Sequence, residues 1–62
     1  MEWPDLVGTD VDAAVQRIKG EQPTLNVVKI ADGSMVTADY REDRVRVFYT
    51  PAFKVSSTPR TG

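Results

Sequence analysis

Val11, Ala14, Val15 and Ile18 recur at i, i+3, i+4 and i+7, so they share one face of an α-helix. Asp12, Ala13, Gln16 and Lys19 cover the other face. Asp10 precedes the run as an N-cap, its carboxylate accepting from the free N–H groups of the first turn. Asp12 lies in that turn, where the helix dipole favours an anion. Gly20 as a C-cap and Pro23 as a stop predict a helix over Val11 to Lys19. The period then changes. Leu25 to Ile30 is β-branched and bounded by Pro23 and Asp32-Gly33, which predicts a strand. Arg44 to Tyr49 alternates with period two and predicts a second. Val45, Val47 and Tyr49 lie on one face of it, and Arg44, Arg46 and Phe48 on the other. A short third strand is expected around Val55, after the Thr50-Pro51 turn, and Pro59 to Gly62 are expected to be irregular. Near the start, Trp3 reads as a lid on the core, since one Trp is a large share of the apolar area in so short a chain.

Composition narrows the chemistry. At 62 residues a single domain is expected over 1–62, close to the lower size at which a chain folds alone. Cys and His are absent. This excludes a disulfide framework, thiolate or imidazole metal sites, and any Ser-His or Cys-His nucleophile pair. No catalytic residue, metal or cofactor is expected, and stability must come from a small packed core. A net charge of −1 argues against bulk attraction to nucleic acid or an anionic membrane. The longest apolar runs are two or three residues, too short for a membrane span or a signal peptide. Localisation is left open.

Thirteen residues with no helical period, Ala31 to Asp43, separate the two predicted strands. A loop this long in a small domain is uncommon and is usually functional or disordered. Val36 and Thr37 favour extended backbone, and Met35 and Tyr40 do not promote disorder, so an ordered, extended loop is expected. Arg44 and Arg46 project from one face of the second strand, each offering five donors in a planar fork. If the loop crosses that face, they can brace Thr37 and Asp39 from beneath. On pattern alone a solvated outer face is the simpler reading of the arginines.

The run Gly33-Ser34-Met35-Val36-Thr37-Ala38-Asp39-Tyr40-Arg41-Glu42-Asp43-Arg44-Val45-Arg46-Val47-Phe48 resembles the reactive loop and following strand of the potato inhibitor I family. Glu2 to Gly8 resembles the family's opening, Asp10 to Ala14 its helix start, and Pro59-Arg60-Thr61-Gly62 its close. The resemblance implies an α+β fold, with one α-helix on a small mixed β-sheet and a long exposed reactive loop, about 33–43, between two parallel strands. It implies inhibition of a serine endopeptidase of subtilisin, elastase or chymotrypsin type by a monomer. It also implies a reactive bond between Ala38 and Asp39. Met35, Val36 and Thr37 would contact the protease before that bond, and Tyr40 and Arg41 after it. Arg44, Arg46 and Gly62 would support the loop through Thr37 and Asp39, and with this the bracing reading overtakes the solvated face. Arg17, Gly20, Ala31, Thr58 and Thr61 depart from the family pattern, in ways that bear on stability more than on the loop.

Three rival readings stand beside this one. The first is a non-inhibitory scaffold or binding domain of the same fold, its loop kept for another partner. The second is an enzyme using Asp39, Glu42 and Asp43 as acid and base, which the adjacent arginines and the small size argue against. A nucleic-acid role for the arginine pair is weaker still, with no stacking platform in sight.

Overall fold

The computed structural model describes residues 1–62. After a 3-10 turn at Pro4–Leu6 come α1 (Val11–Glu21), β1 (Asn26–Ala31), β2 (Arg44–Tyr49) and β3 (Arg60–Thr61). The sheet order is β1-β2-β3, with β1 and β2 parallel and β2 and β3 antiparallel. The expected mixed sheet with one helix is therefore observed.

The α1 start follows the sequence closely. The Asp10 carboxylate accepts from the N–H groups of Asp12 and Ala13, each at 3.1 Å. Val11, Ala14 and Ile18 are buried against the sheet. There they meet Val45 and Val47 of β2, and Trp3, Leu6 and Val55 close the cluster. Trp3 is the lid that the sequence predicts, and its indole N–H donates to Glu21 Oε1 at 3.2 Å.

The helix does not stop at Gly20. It continues to Glu21, and Gln22 takes the cap position with its N–H on the Ile18 carbonyl at 2.8 Å. The two added residues are held from outside: Glu21 accepts from Trp3 and pairs with Arg17 at 3.0 Å, and Arg17 also reaches Asp5 at 3.4 Å. Arg17 is exposed and works as a polar clip on the helix surface. Gly20 is thus an interior helical glycine with open space where a Cβ would go. Gly20→Ala is expected to stabilise the fold by about 0.5–1 kcal/mol, read as a raised denaturation midpoint with unchanged slope. An unchanged or lowered midpoint would contradict the placement.

The C-terminal segment also corrects the sequence reading. Arg60–Thr61 is a strand, pairing Arg46 with Arg60 and Val45 with Thr61. The N-terminal arm lines its other side through Thr61 N–H to Met1 O (3.1 Å) and Trp3 N–H to Pro59 O (2.8 Å). Near Val55 there are two isolated bridges, Val55 to Tyr49 and Lys54 to Asp10, in place of a third strand. The turn before them carries a surprise: Phe53 has φ 62°, rare for a bulky residue. Its ring stacks on Tyr49 at 5.9 Å, and its carbonyl accepts from Val11 N–H at 2.9 Å.

Parallel pairing dictates the rest. Two parallel strands need a crossover of about a dozen residues or more, usually a helix. Here the crossover is the twelve-residue segment Asp32 to Asp43, with α1 already on the opposite face. A six-residue strand is about 20 Å long, and twelve extended residues reach about 40 Å. The return path therefore has slack, and the segment arches over the sheet's open face.

Candidate functional site

From Ser34 to Arg41 the crossover has no regular secondary structure, and every residue from Ala31 to Asp43 is exposed. Met35 is 99% exposed. No backbone N–H or C=O between Met35 and Tyr40 takes part in a backbone–backbone hydrogen bond. Apart from the Asp39 carbonyl, which a side chain below takes, the main chain is free to pair with another molecule.

Alternation along β2 puts Val45 and Val47 into the core and turns Arg44 and Arg46 toward the loop. Both arginine side chains are largely covered, at 13% and 17% exposure. Arg46 Nη2 donates to Thr37 Oγ1 at 2.7 Å and lies 3.7 Å from Asp39 Oδ1. Arg44 Nη2 donates to the Asp39 main-chain oxygen at 2.8 Å, and Nη1 to Asp39 Oδ2 at 3.3 Å. Its Nε donates to the Gly62 main-chain oxygen at 3.1 Å, while Gly62 N–H donates to the Arg44 carbonyl at 2.8 Å. Thr37 and Asp39 are thus gripped on either side of Ala38, which itself makes no hydrogen bond below. Charge-assisted bonds from planar forks fix direction as well as distance.

Tyr40 extends past this brace, its ring close enough to Gly62 that a Cβ there would meet it at 3.5 Å. Arg41 is held by Asp43, Nε to Oδ1 at 3.2 Å and Nη2 to Oδ2 at 3.4 Å. The loop ends where Asn26 N–H meets the Asp43 carbonyl at 2.7 Å. Of the residues singled out in the sequence, Thr37, Asp39, Arg44, Arg46 and Gly62 come together beneath the arch. Met35, Val36, Ala38, Tyr40 and Arg41 lie along it. The sequence did not single out Asp32 and Ser56, which meet at the root of the arch with Ser56 Oγ 2.6 Å from Asp32 Oδ1. Their separation of 24 residues, across the loop, β2 and the turn after it, leaves no local sequence signal for the pair.

The brace is linked to protonation. The Thr37 hydroxyl holds the Asp39 carboxyl below the ordinary aspartate range, with help from the Asp39 backbone N–H and from Arg44. A carboxylate depressed on folding supports the folded arrangement above its unfolded pKa, near 3.9, and loses that support as pH falls through its lower folded value. Loop order is therefore expected to be constant from neutral pH down to about 4.5 and to decline below about 3.9, with Asp39→Asn abolishing that step. ¹⁵N relaxation of the Ala38 amide across the range reads it; a flat wild-type profile would refute the linkage.

Sequence and structural comparisons agree with this architecture. The profile of the Potato inhibitor I family matches residues 1–62. The chain is 40% identical over 60 residues to subtilisin inhibitor CLSI-I of Canavalia lineata, covering 97% of this chain and 91% of that protein. It is 45% identical over 60 residues to the Glu S.griseus protease inhibitor of Momordica charantia, covering 97% and 88%. Eglin C of Hirudo medicinalis is 39% identical over 61 residues, covering 97% and 87%. The fold matches the crystal structure of bitter gourd trypsin inhibitor with a TM-score of 0.94 at 43% identity, over 98% of this chain and 90% of that one. A braced, exposed arch, a family profile that spans residues 1–62 and inhibitors matched nearly end to end make this a member of the potato inhibitor I family, a protease inhibitor and not an enzyme.

Proposed function

We propose that the chain inhibits serine endopeptidases by offering residues 33–43 as a substrate-like loop whose reactive bond joins Ala38 to Asp39. The observation that carries this reading is an exposed main chain from Met35 to Tyr40 with no backbone–backbone hydrogen bond, held at Thr37 and Asp39 by side chains of β2. A loop already in its bound course loses little conformational entropy on docking. Met35, Val36 and Thr37 enter the subsites before the bond, and Tyr40 and Arg41 contact the far side. An interface of about 1,600 Å² in total is expected.

Resistance to cleavage follows from the same brace. When the protease serine attacks the Ala38 carbonyl, the peptide bond breaks and the Asp39 amine takes a proton as it leaves. An ordinary product would then diffuse away. Here Arg44 keeps the Asp39 side in place, so the amine stays at high effective concentration and re-forms the bond. The protease supplies the nucleophile and the base.

Ala38 points to the target class. A methyl group brings no cation to a trypsin-type pocket and little area to a chymotrypsin-type one, but it fits a small elastase-type pocket and a broad subtilisin-type site. In a deep apolar pocket the missing side chain forfeits about 1–3 kcal/mol. Inhibition is therefore strongest toward subtilisin and elastase types and weaker toward chymotrypsin. Relatives named for inhibiting subtilisin support the first assignment. Inhibition constants against subtilisin, elastase, chymotrypsin and trypsin, with mass-spectrometric mapping of any slow cut, test it. Rapid cleavage at Ala38-Asp39 without inhibition would mark a non-inhibitory scaffold, and tight trypsin binding with no effect on subtilisin would overturn the target class.

A further inference from the structure

The arginine brace begins at Thr37 and serves the bond and the limb after it. The limb before it leaves β1 at Ala31 and reaches Thr37 through five residues, Asp32 to Val36. Its root makes a tight turn: Asp32 N–H donates to the Tyr49 carbonyl at 2.9 Å, Ser34 N–H returns to the Ala31 carbonyl at 3.1 Å, and Gly33 takes φ 85°. A glycine there frees the turn sterically and leaves it free to pivot. The only side-chain tie on this limb before Thr37 is the 2.6 Å bond from Ser56 Oγ to Asp32 Oδ1. That length is typical of a hydroxyl donating to a carboxylate.

Ser56 is itself immobilised. Its N–H donates to the Phe48 carbonyl at 2.9 Å, and its neighbour Val55 is buried and bridged to Tyr49. The residue is therefore anchored to β2, the strand that carries Arg44 and Arg46. Asp32 is tied to β2 twice, by its own N–H to Tyr49 and through Ser56. We infer that Ser56 and Asp32 form a second clamp that positions the entry limb of the loop, complementing the arginines at its other end. The inference rests on the reading of residues 33–43 as the inhibitory loop. It makes Ser56 a positioning residue, acting through Asp32 and not by touching the protease.

The test compares wild type, Asp32→Ala, Ser56→Ala, Ser56→Thr and the double variant Asp32→Ala/Ser56→Ala. In Ser56→Ala the amides of Gly33 and Ser34 are expected to fall from a rigid order parameter of about 0.85 toward about 0.6. Loop hydrolysis by subtilisin is expected to rise about three- to ten-fold, the scale of one lost and partly solvated charge-assisted bond. Ser56→Thr, which keeps the hydroxyl, restores both. The double variant is no worse than Ser56→Ala, since the pair acts as one unit. Gly33 and Ser34 as ordered in Ser56→Ala as in wild type, or effects of the two substitutions that simply add, would overturn the clamp. The order parameters need no protease, so a wild-type chain that inhibits nothing defeats the inhibitory reading while the clamp is still decided.

Discussion

Arg46→Ala is expected to convert a slowly cut inhibitor into a substrate. The side chain is the only one that reaches the loop on the near side of Ala38 within the brace, through its 2.7 Å bond to Thr37 Oγ1. Arg44 still grips Asp39 in this variant, so the limb after the bond stays tethered while the limb before it is released. Hydrogen bonds to charged groups contribute about 1.5–3 kcal/mol, and partial exposure of Thr37 and Asp39 brings the expected loss to about 1–2 kcal/mol. That corresponds to roughly five- to thirty-fold weaker inhibition and a comparable rise in the rate of cutting at Ala38-Asp39. Inhibition constants and mass-spectrometric timing of hydrolysis by subtilisin measure both. Arg46→Lys should recover only part of the loss, because a point charge cannot address Thr37 and Asp39 together as a planar fork does. Full inhibition and wild-type resistance in Arg46→Ala would leave the arginine as mere surface charge and end the bracing argument.

Strand alternation makes the position of this brace legible, although on pattern alone a solvated face is the simpler reading and only the family resemblance favours bracing. Once Val45 and Val47 are committed to the core, Arg44 and Arg46 must face the other way, and the only long segment available to cross that face is the one between the strands. The start of α1 was equally readable, because an Asp cap and an i, i+3, i+7 apolar set are local signals. The misreadings lie where tertiary contacts overrule local preference. Gly20 costs a helix about 1 kcal/mol and so reads as a stop, yet Glu21 just beyond it is gripped by Trp3 and Arg17, one of them 18 residues away. Arg60–Thr61 is too short to show a period and exists as a strand because β2 and the N-terminal arm flank it. Phe53 at positive φ is tolerated because its ring has Tyr49 to stack on and its carbonyl has Val11 to meet. The same reason hides Ser56: one of two adjacent serines in an irregular stretch reads as a turn residue until the fold brings Asp32 to it.

Ala38→Lys separates specificity from scaffold most sharply. Ala38 is exposed, and neither the arginines nor any backbone partner holds it, so its side chain has no structural neighbour to disturb. A substitution at such a position typically changes stability by less than about 0.5 kcal/mol, and Thr37 and Asp39 keep their ties. What changes is the group delivered to the protease. A trypsin-type pocket holds a carboxylate at its base, which a methyl group leaves unanswered and an ammonium meets directly. A desolvated, hydrogen-bonded charge pair contributes about 3 kcal/mol or more at an interface, so trypsin inhibition is expected to tighten by at least about 100-fold. Subtilisin, with its broader site, should change by less than about ten-fold. An inhibition panel run beside a thermal melt reads all three quantities. If trypsin gained nothing while the melt stayed put, the scaffold would be intact and the protease would be entering the arch somewhere other than at Ala38. A gain in trypsin inhibition with an unmoved melt would show that one side chain sets the target while a separate set, beneath the loop, sets its resistance to being cut.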